Sequence, residues 1–284
     1  TKKIKEVPGF EILHFISPEK NTGKGDDMDA PLSEAIVKVL KRSHDKPLLL
    51  VASYQNPGDI NKVAIKPDAY PPPVNMSSAP PLPLNFNISS DEPAFIKDCR
   101  RSEGILRELF GTLHFTASQW QNYLYHYYMM TERVDKEIGK LIHTMENKGL
   151  DQNTIILFTS VQGDGAAAHQ WAGGYSPYEE AVKTPFIICR FGRNLRNIED
   201  NNHLVSGIDI LPTLLDFAGI EIPKNIEGMS LKAVIENPDT SWREILVTEI
   251  ATDPADSSKT GRMLRWKNYK YVSYSRGMPN EQLF

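Results

Sequence analysis

The sequence has few cysteines, no long apolar run and no excess of basic residues. Only two cysteines, Cys99 and Cys189, occur in 284 residues, so the chain has neither a disulfide framework nor the cysteine spacing of a metal site. No apolar run approaches the length of a membrane span, which predicts that no segment crosses a membrane. The net charge of −4, with both signs mixed along the chain, gives no basic face, so nucleic acid is not an expected partner.

The first residues of the chain also lack the apolar core of a signal peptide. Either no export signal exists or one has been removed, and because the two cysteines do not settle the compartment, no localisation is predicted. The chain is nevertheless long enough to bury a sizeable core.

Helix and strand patterns alternate along the chain, which is typical of an α/β fold. Apolar positions 32, 36, 39 and 40 predict a helix that begins near Asp29, and the apolar run 48–54 predicts a strand buried on both faces. The longest helical pattern covers 117–149, where Gly149 predicts its end. The strand predicted at 154–159 follows directly, an order typical of a parallel sheet.

The remaining segments complete the predicted domain organisation. The proline-rich stretch 66–93 is either a solvated recognition tail or a connection that lies over the domain surface, and 92–113 has a helical pattern. A helix is predicted at 209–218 and strands at 244–250, 262–266 and 269–274, the last two joined by a turn at Lys267-Asn268. We therefore predict an α/β domain over 1–235 and a small antiparallel subdomain over 236–284.

Two loops follow predicted strands and carry polar residues. The first, 55–60, follows the strand at 48–54, and the second lies between the strands at 154–159 and 185–191. Ligands of α/β sheets bind at the carboxyl ends of strands, so these loops are the candidate functional site. The alternative is that the second loop is a surface crossover whose polar residues are incidental.

From about residue 45 to the end, the order and spacing of motifs resemble a type I, formylglycine-dependent sulfatase of the alkaline phosphatase superfamily. The motifs that carry this resemblance are Asn56-Pro-Gly-Asp59, Thr159-Ser-Val-Gln-Gly-Asp164, His169, Tyr178-Glu-Glu-Ala-Val182, Thr184-Pro-Phe-Ile-Ile188, Asp209-Ile-Leu-Pro-Thr213, Gly228-Met-Ser-Leu231 and Tyr269-Lys-Tyr271. The resemblance implies an alkaline-phosphatase-like, mostly parallel sheet flanked by helices, with the family's N-terminal portion lacking.

The resemblance also implies a chemistry, the hydrolysis of sulfate esters, here on sugars. The family uses a formylglycine made from a cysteine in a "CxPxR"-like motif and a calcium ion held by oxygen ligands. Neither Cys99 nor Cys189 is followed by the required proline and arginine. The nucleophile motif is therefore absent, and without it the family mechanism has no covalent step.

Further departures fall on the positions that the resemblance assigns to catalysis and metal binding. Val161 and Gln162 stand at metal-ligand positions, Gly58 at a catalytic histidine and Gly174 at a catalytic lysine, whereas His169 is kept. Because Val161 has no side-chain oxygen, calcium is expected to bind weakly or not at all.

The resemblance places His169 and Trp171 at the substrate pocket, with Asn56 and Asp59 orienting the neighbouring loop. The alternatives are that His169 is an ordinary loop histidine and Trp171 a packing aromatic.

Three functions follow, in decreasing order of support. The chain is part of a sulfatase-family hydrolase and inactive on its own; or it is a non-catalytic module that binds a sulfated sugar; or it is a metal-dependent phosphoesterase, whose ligand clusters are missing. A sheet without the family's N-terminal strands would expose unpaired edges. We therefore expect pairing with a missing N-terminal portion or another copy of the chain, or a replacement strand at 10–16.

Overall fold

The computed structural model describes residues 25–101, 112, 114–190, 198–251 and 259–284. The described residues divide into two compact units. The first contains those within 25–89, 100–174 and 185–190, and the second those within 90–99, 175–184 and 198–284. The domain boundary at residue 235 stays a prediction.

Among the described residues, four helices are followed by a strand, a helix, a strand and two further helices, and four strands form the end of the chain. The helices are α1 (Gly25–Leu40), α2 (Ile60–Ile65), α3 (Ala94–Arg101), α4 (Ala117–Lys148), α5 (Glu179–Val182), α6 (Ile210–Phe217) and α7 (Lys232–Glu236). The strands are β1 (Ile155–Thr159), β2 (Phe186–Arg190), β3 (Ile245–Ala251), β4 (Thr260–Trp266), β5 (Tyr269–Tyr274) and β6 (Glu281–Leu283).

Helix α4 is the central element of the first unit, and its predicted extent is confirmed. Thr116 and Gln119 form a capping box at its start, and Gly149 ends it with φ 64°, in the left-handed conformation that glycine adopts without steric cost. The helix is long, but many of its residues are polar. None of the described helices is both long and apolar enough to cross a membrane.

The apolar side of α4 buries two clusters in the first unit. Towards its start, Trp120 and Tyr123 are fully buried and pack with α2 and with Ala167 and Ala172 of the loop after β1. Towards its end, Met145 packs with Ile36 and Leu40 of α1, so the predicted apolar face of α1 is confirmed. Helix α1 begins at Gly25, earlier than the predicted start near Asp29.

The prediction of a buried strand at 48–54 is wrong for the described structure. This segment forms no strand, and Leu48, Leu49 and Val51 are 49%, 56% and 65% exposed. No described residue makes a backbone hydrogen bond with 48–53. The physical reason is the lack of a neighbour, because an extended segment becomes a strand only when another strand satisfies its backbone groups.

Strands β1 and β2 form at the predicted places, but their pairing is antiparallel. Leu157 lies opposite Ile188, and Thr159 opposite Phe186. The long connection between them reverses the chain direction, so the parallel unit expected around 154–159 is not formed among the described residues.

The proline-rich stretch lies over α4, which confirms the surface connection. The carbonyl of Tyr70 accepts from Asn122 Nδ2 at 2.9 Å, and Phe86 packs edge-on against Trp120. Within 92–113 the helix α3 is confirmed, whereas 102–111 and 113 lie outside the described residues, as does the replacement strand expected at 10–16.

The second unit contains an antiparallel sheet in the order β3-β4-β5-β6. The predicted strands and the turn at Lys267-Asn268 are confirmed, and β6 is an addition that the sequence pattern did not indicate. On one face of this sheet Met263 and Val272 are buried neighbours, and Tyr274 stacks on Phe95 at 4.8 Å between ring centroids.

Candidate functional site

The loop that follows β1 is organised around the partly buried carboxylate of Asp164. The Tyr123 hydroxyl donates to its two oxygens at 2.9 and 2.8 Å, and the backbone N–H groups of Ala166 and Gly173 donate at 2.7 and 2.8 Å. Burial raises the pKa of Asp164, and the three donors oppose that rise. Asp164 therefore joins both ends of the loop to helix α4.

The backbone of this loop is held in an uncommon conformation. Between Gly165 and Trp171, four residues other than glycine have positive φ: Ala166 at 45°, Ala167 at 67°, His169 at 53° and Gln170 at 51°. Such residues cost about 1–3 kcal/mol each and persist only where the surroundings enforce them. Here the enforcement comes from Asp164 and from the burial of Ala167 in the core of the first unit.

His169 is fixed from both its backbone and its side chain. Its N–H donates to the Asn85 carbonyl at 2.7 Å, its ring Nε2 lies 3.4 Å from Asn85 Nδ2, and its carbonyl accepts from Arg100 Nη2 at 2.6 Å. The half-buried imidazole is thus held in one place, as a ligand-binding group requires. Its contact with a ligand stays a prediction.

Trp171 is placed differently from an open substrate-binding aromatic. It is fully buried, its Nε1 donates to the Gly174 carbonyl at 2.8 Å, and the Arg100 guanidinium lies 4.8 Å from its ring centroid. In this position Trp171 packs beneath the surface and stabilises the loop. Its predicted contact with a ligand stays a prediction.

The structure brings Gln162 and Gly174 into contact. A side chain at position 174 would place its Cβ 2.8 Å from Gln162 Nε2 and 3.0 Å from its Cδ. The Gln162 carboxamide therefore lies where a lysine at position 174 would begin. Val161 beside it is fully exposed.

The second loop, 55–60, is held by the buried carboxylate of Asp29 from α1. Its oxygens accept from the backbone N–H groups of Gln55 at 2.8 Å and Asn56 at 3.1 Å. Burial raises the pKa of Asp29, and these two backbone donors oppose that rise. Asp59 is also buried and accepts from Lys62 Nζ at 2.8 Å.

The two loops meet near Gly173, where a Cβ would lie 3.7 Å from Asn61 Oδ1. Gly58, at the histidine position, is exposed, and its Cβ would lie 2.8 Å from the Gln55 carbonyl oxygen. The site is thus a pair of adjacent loops, each held by a carboxylate that accepts hydrogen bonds from the loop's backbone.

Sequence reasoning missed the residues that support these loops. Asp164 had a signal, because Gly163-Asp164 fits the motif, but Asp29, Tyr123 and Arg100 had none, since each lies far along the chain from the loop that it holds.

The side chains present do not fit the calcium ion of the resemblance. Val161 offers no oxygen, and the carboxylates of Asp29, Asp59 and Asp164 already accept from the donors named above. Within the part of the chain that the structure describes, no group of three or more His, Cys, Asp or Glu side chains is placed to hold a metal ion.

Comparison with known protein families decides the family. The sequence pattern described as Sulfatase matches residues 12–220, which is well over half of the chain. The chain belongs to the sulfatase family. A second pattern, described as N-sulphoglucosamine sulphohydrolase, C-terminal, matches residues 168–284. Both matches agree with the resemblance described above, and the assignment to the alkaline phosphatase superfamily is confirmed.

Two relatives from Bacteroides thetaiotaomicron show how much of a sulfatase the chain covers. The chain is 26% identical to a Delta 4,5-hexuronate-2-O-sulfatase over 278 residues, which are 94% of this chain and 56% of that protein. It is 31% identical to an N-acetylglucosamine-6-O-sulfatase over 170 residues, 58% of this chain and 30% of that protein. The chain thus spans about a third to a half of these relatives.

Solved structures confirm the α/β sulfatase fold. A 2-O GAG sulfatase superposes with a TM-score of 0.81 at 23% identity, covering 95% of this chain and 58% of its own. A second, solved in complex with its substrate D-glucosamine-2-N,6-O-disulfate, superposes with a TM-score of 0.62 at 22% identity, covering 92% and 62%. At these identities the likeness establishes the fold.

Proposed function

We propose that this sulfatase-family chain binds a sulfated sugar and does not by itself hydrolyse sulfate esters. The observation that carries the proposal is the pair of ordered loops, on which Gln162 covers Gly174 at the lysine position. Loss of a single charge-stabilising donor lowers a rate by about a hundredfold to a thousandfold, and the missing nucleophile removes the covalent step.

The ligand class is supported by the relatives and by the surviving loop. Sulfated sugars are in the names of two matched sulfatases, and one matched structure holds D-glucosamine-2-N,6-O-disulfate. In this chain the loop that carries His169 remains ordered, fixed to α4 by Asp164 and Tyr123. An ordered loop binds with less loss of conformational freedom than a mobile one.

The test is calorimetry of the chain with D-glucosamine-2-N,6-O-disulfate and with unsulfated glucosamine, together with a measurement of released sulfate. We expect binding of the sulfated sugar and no sulfate release. His169→Ala should weaken binding, whereas His143→Ala, which changes an exposed histidine of α4, should leave it unchanged. Release of sulfate by the chain alone would refute inactivity, and the absence of binding heat would refute the binding role.

Metal content gives a second test of inactivity. After incubation with calcium and magnesium and then desalting, we expect less than one metal ion per chain. One tightly held calcium per chain would mean that other oxygens form the site, which would contradict the proposal.

We also propose that segment 48–54 pairs with an additional strand. Its exposed apolar side chains and its backbone, which is unpaired within the described residues, support this proposal, since such segments associate with further strands. Sedimentation and amide hydrogen exchange test it. Protected amides at 48–53 in a dimer indicate a second copy, and protected amides in a monomer indicate a strand within the chain. Unprotected amides would contradict pairing.

A further inference from the structure

Arg100 contacts the backbone of the His169 loop at two residues whose backbone conformation is sterically unfavourable. Nη1 donates to the Gln170 carbonyl at 2.9 Å and Nη2 to the His169 carbonyl at 2.6 Å. These two residues have positive φ. One guanidinium thus binds two consecutive carbonyls of a left-handed turn.

The surroundings of Arg100 make this contact a fixed one. Arg100 is only 4% exposed, and its guanidinium lies over the ring of the buried Trp171. A planar guanidinium donates two parallel hydrogen bonds and stacks on an aromatic face, whereas a lysine ammonium is a point charge that cannot reproduce this geometry.

We infer that Arg100 is a positioning residue that fixes His169 for ligand binding. It acts through the carbonyls of His169 and Gln170, and it does not itself contact the ligand. The inference rests on the proposed function in one respect, namely that His169 contacts the sulfated sugar. It adds to that function a residue which no motif of the sequence indicates.

The experiment compares Arg100→Lys with Arg42→Lys, which changes an exposed arginine of the same unit. For Arg100→Lys we expect about tenfold weaker binding of D-glucosamine-2-N,6-O-disulfate, the effect of about one hydrogen bond. The NMR signals of the His169 ring should shift, and the amides of residues 169–171 should exchange faster. Arg42→Lys should change none of these.

Rescue separates positioning from a general loss of stability. In Arg100→Ala, millimolar guanidinium should restore binding and the His169 signals, whereas ammonium at the same concentration should not. Ammonium is the control because it carries the same charge without the planar pair of donors.

The outcomes distinguish this inference from the proposed function. If the unmodified chain binds no sulfated sugar, the proposed function fails. The NMR signals of His169 and the amide exchange would still show whether Arg100 fixes the position of His169. Unchanged His169 signals and exchange in Arg100→Lys would overturn the inference, as would equal affinity in a chain that binds.

Discussion

At the scale of single residues, one buried and one partly buried carboxylate determine the shape of the candidate site. Asp29 and Asp164 each accept from two backbone N–H groups of a loop. Hydrogen bonds to a charged group are stronger than those between neutral groups, so each carboxylate holds its loop in place. Removal of the carboxylate from water disfavours its charged form. This cost is visible in the raised pKa of both groups.

The bond from Tyr123 to Asp164 is the first prediction at this scale. Tyr123→Phe removes the only side-chain donor observed on Asp164 among the described residues, and should lower the free energy of unfolding by about 1.5–3 kcal/mol. Tyr128→Phe, on the same helix but 55% exposed, should change it by less than about 0.5 kcal/mol. Urea unfolding measures both, and equal effects would contradict the prediction.

The raised pKa of Asp29 predicts a pH dependence. The folded protein binds this proton more strongly than the unfolded chain, whose pKa is near 3.8. The contribution of Asp29 to stability is therefore complete below that value and is lost as the pH rises through the raised pKa.

Asp29→Asn isolates this effect because the variant does not titrate at position 29. The free energy of unfolding of the unmodified chain, minus that of Asp29→Asn, should fall as the pH rises from about 3 and then become constant. Urea unfolding across this pH range measures it. A difference that increases with pH would show that ionised Asp29 is stabilised by folding.

At the scale of elements, local sequence signals were sufficient to predict an element that makes its backbone hydrogen bonds within itself. Helix α4 has a capping box, a regular apolar side and a terminal glycine, and its predicted and observed extents agree. The segment 48–54 has an equally clear apolar pattern but is no strand, because a strand needs a neighbour that the pattern cannot supply.

Two glycines of α4 give a matched prediction. Gly149 has φ 64° and open space around its Cβ position, so Gly149→Ala should cost about 1–2 kcal/mol through backbone conformation alone. Gly139 lies within the helix, also with open space, and Gly139→Ala should stabilise by about 0.5–1 kcal/mol. Thermal unfolding compares the two variants, and changes of the same sign would contradict this account.

At the scale of the whole molecule, charges matter according to their burial. In the second unit, Arg243 donates to both oxygens of the fully buried Asp209 at 2.8 and 2.5 Å. The exposed pair of Arg262 and Glu249 in the same unit is joined by a single contact, from Nε to one carboxylate oxygen at 3.0 Å. Of these two pairs, only the first leaves a fully buried carboxyl group without its cation when the pair is broken, although the Ser206 and Met229 N–H groups still donate to Asp209.

Substitution of the two arginines tests this difference. Arg243→Ala should lower the free energy of unfolding by about 3–5 kcal/mol, because buried Asp209 would lose its cationic partner. Arg262→Ala should lower it by less than about 1 kcal/mol. Urea unfolding of both variants measures the effect, and a small loss for Arg243→Ala would show that water or another group compensates Asp209.

The sequence by itself determined the family, the α/β class, most helices and strands, and the positions of the two loops. These features depend on local periodicity, caps, turns and motif order, and all of those can be read along the chain. The assignment of Val161, Gln162, Gly58 and Gly174 to replaced positions of the family motifs also came from the sequence alone, and it stays a prediction.

Only the tertiary structure decided the antiparallel pairing of β1 with β2, the burial of Trp171 and the contact of Gln162 with Gly174. It also decided that Asp29, Tyr123 and Arg100 support the loops. Each of these depends on residues that are distant along the chain and meet only after packing. A linear pattern contains the chemistry of such residues but not their distance from one another.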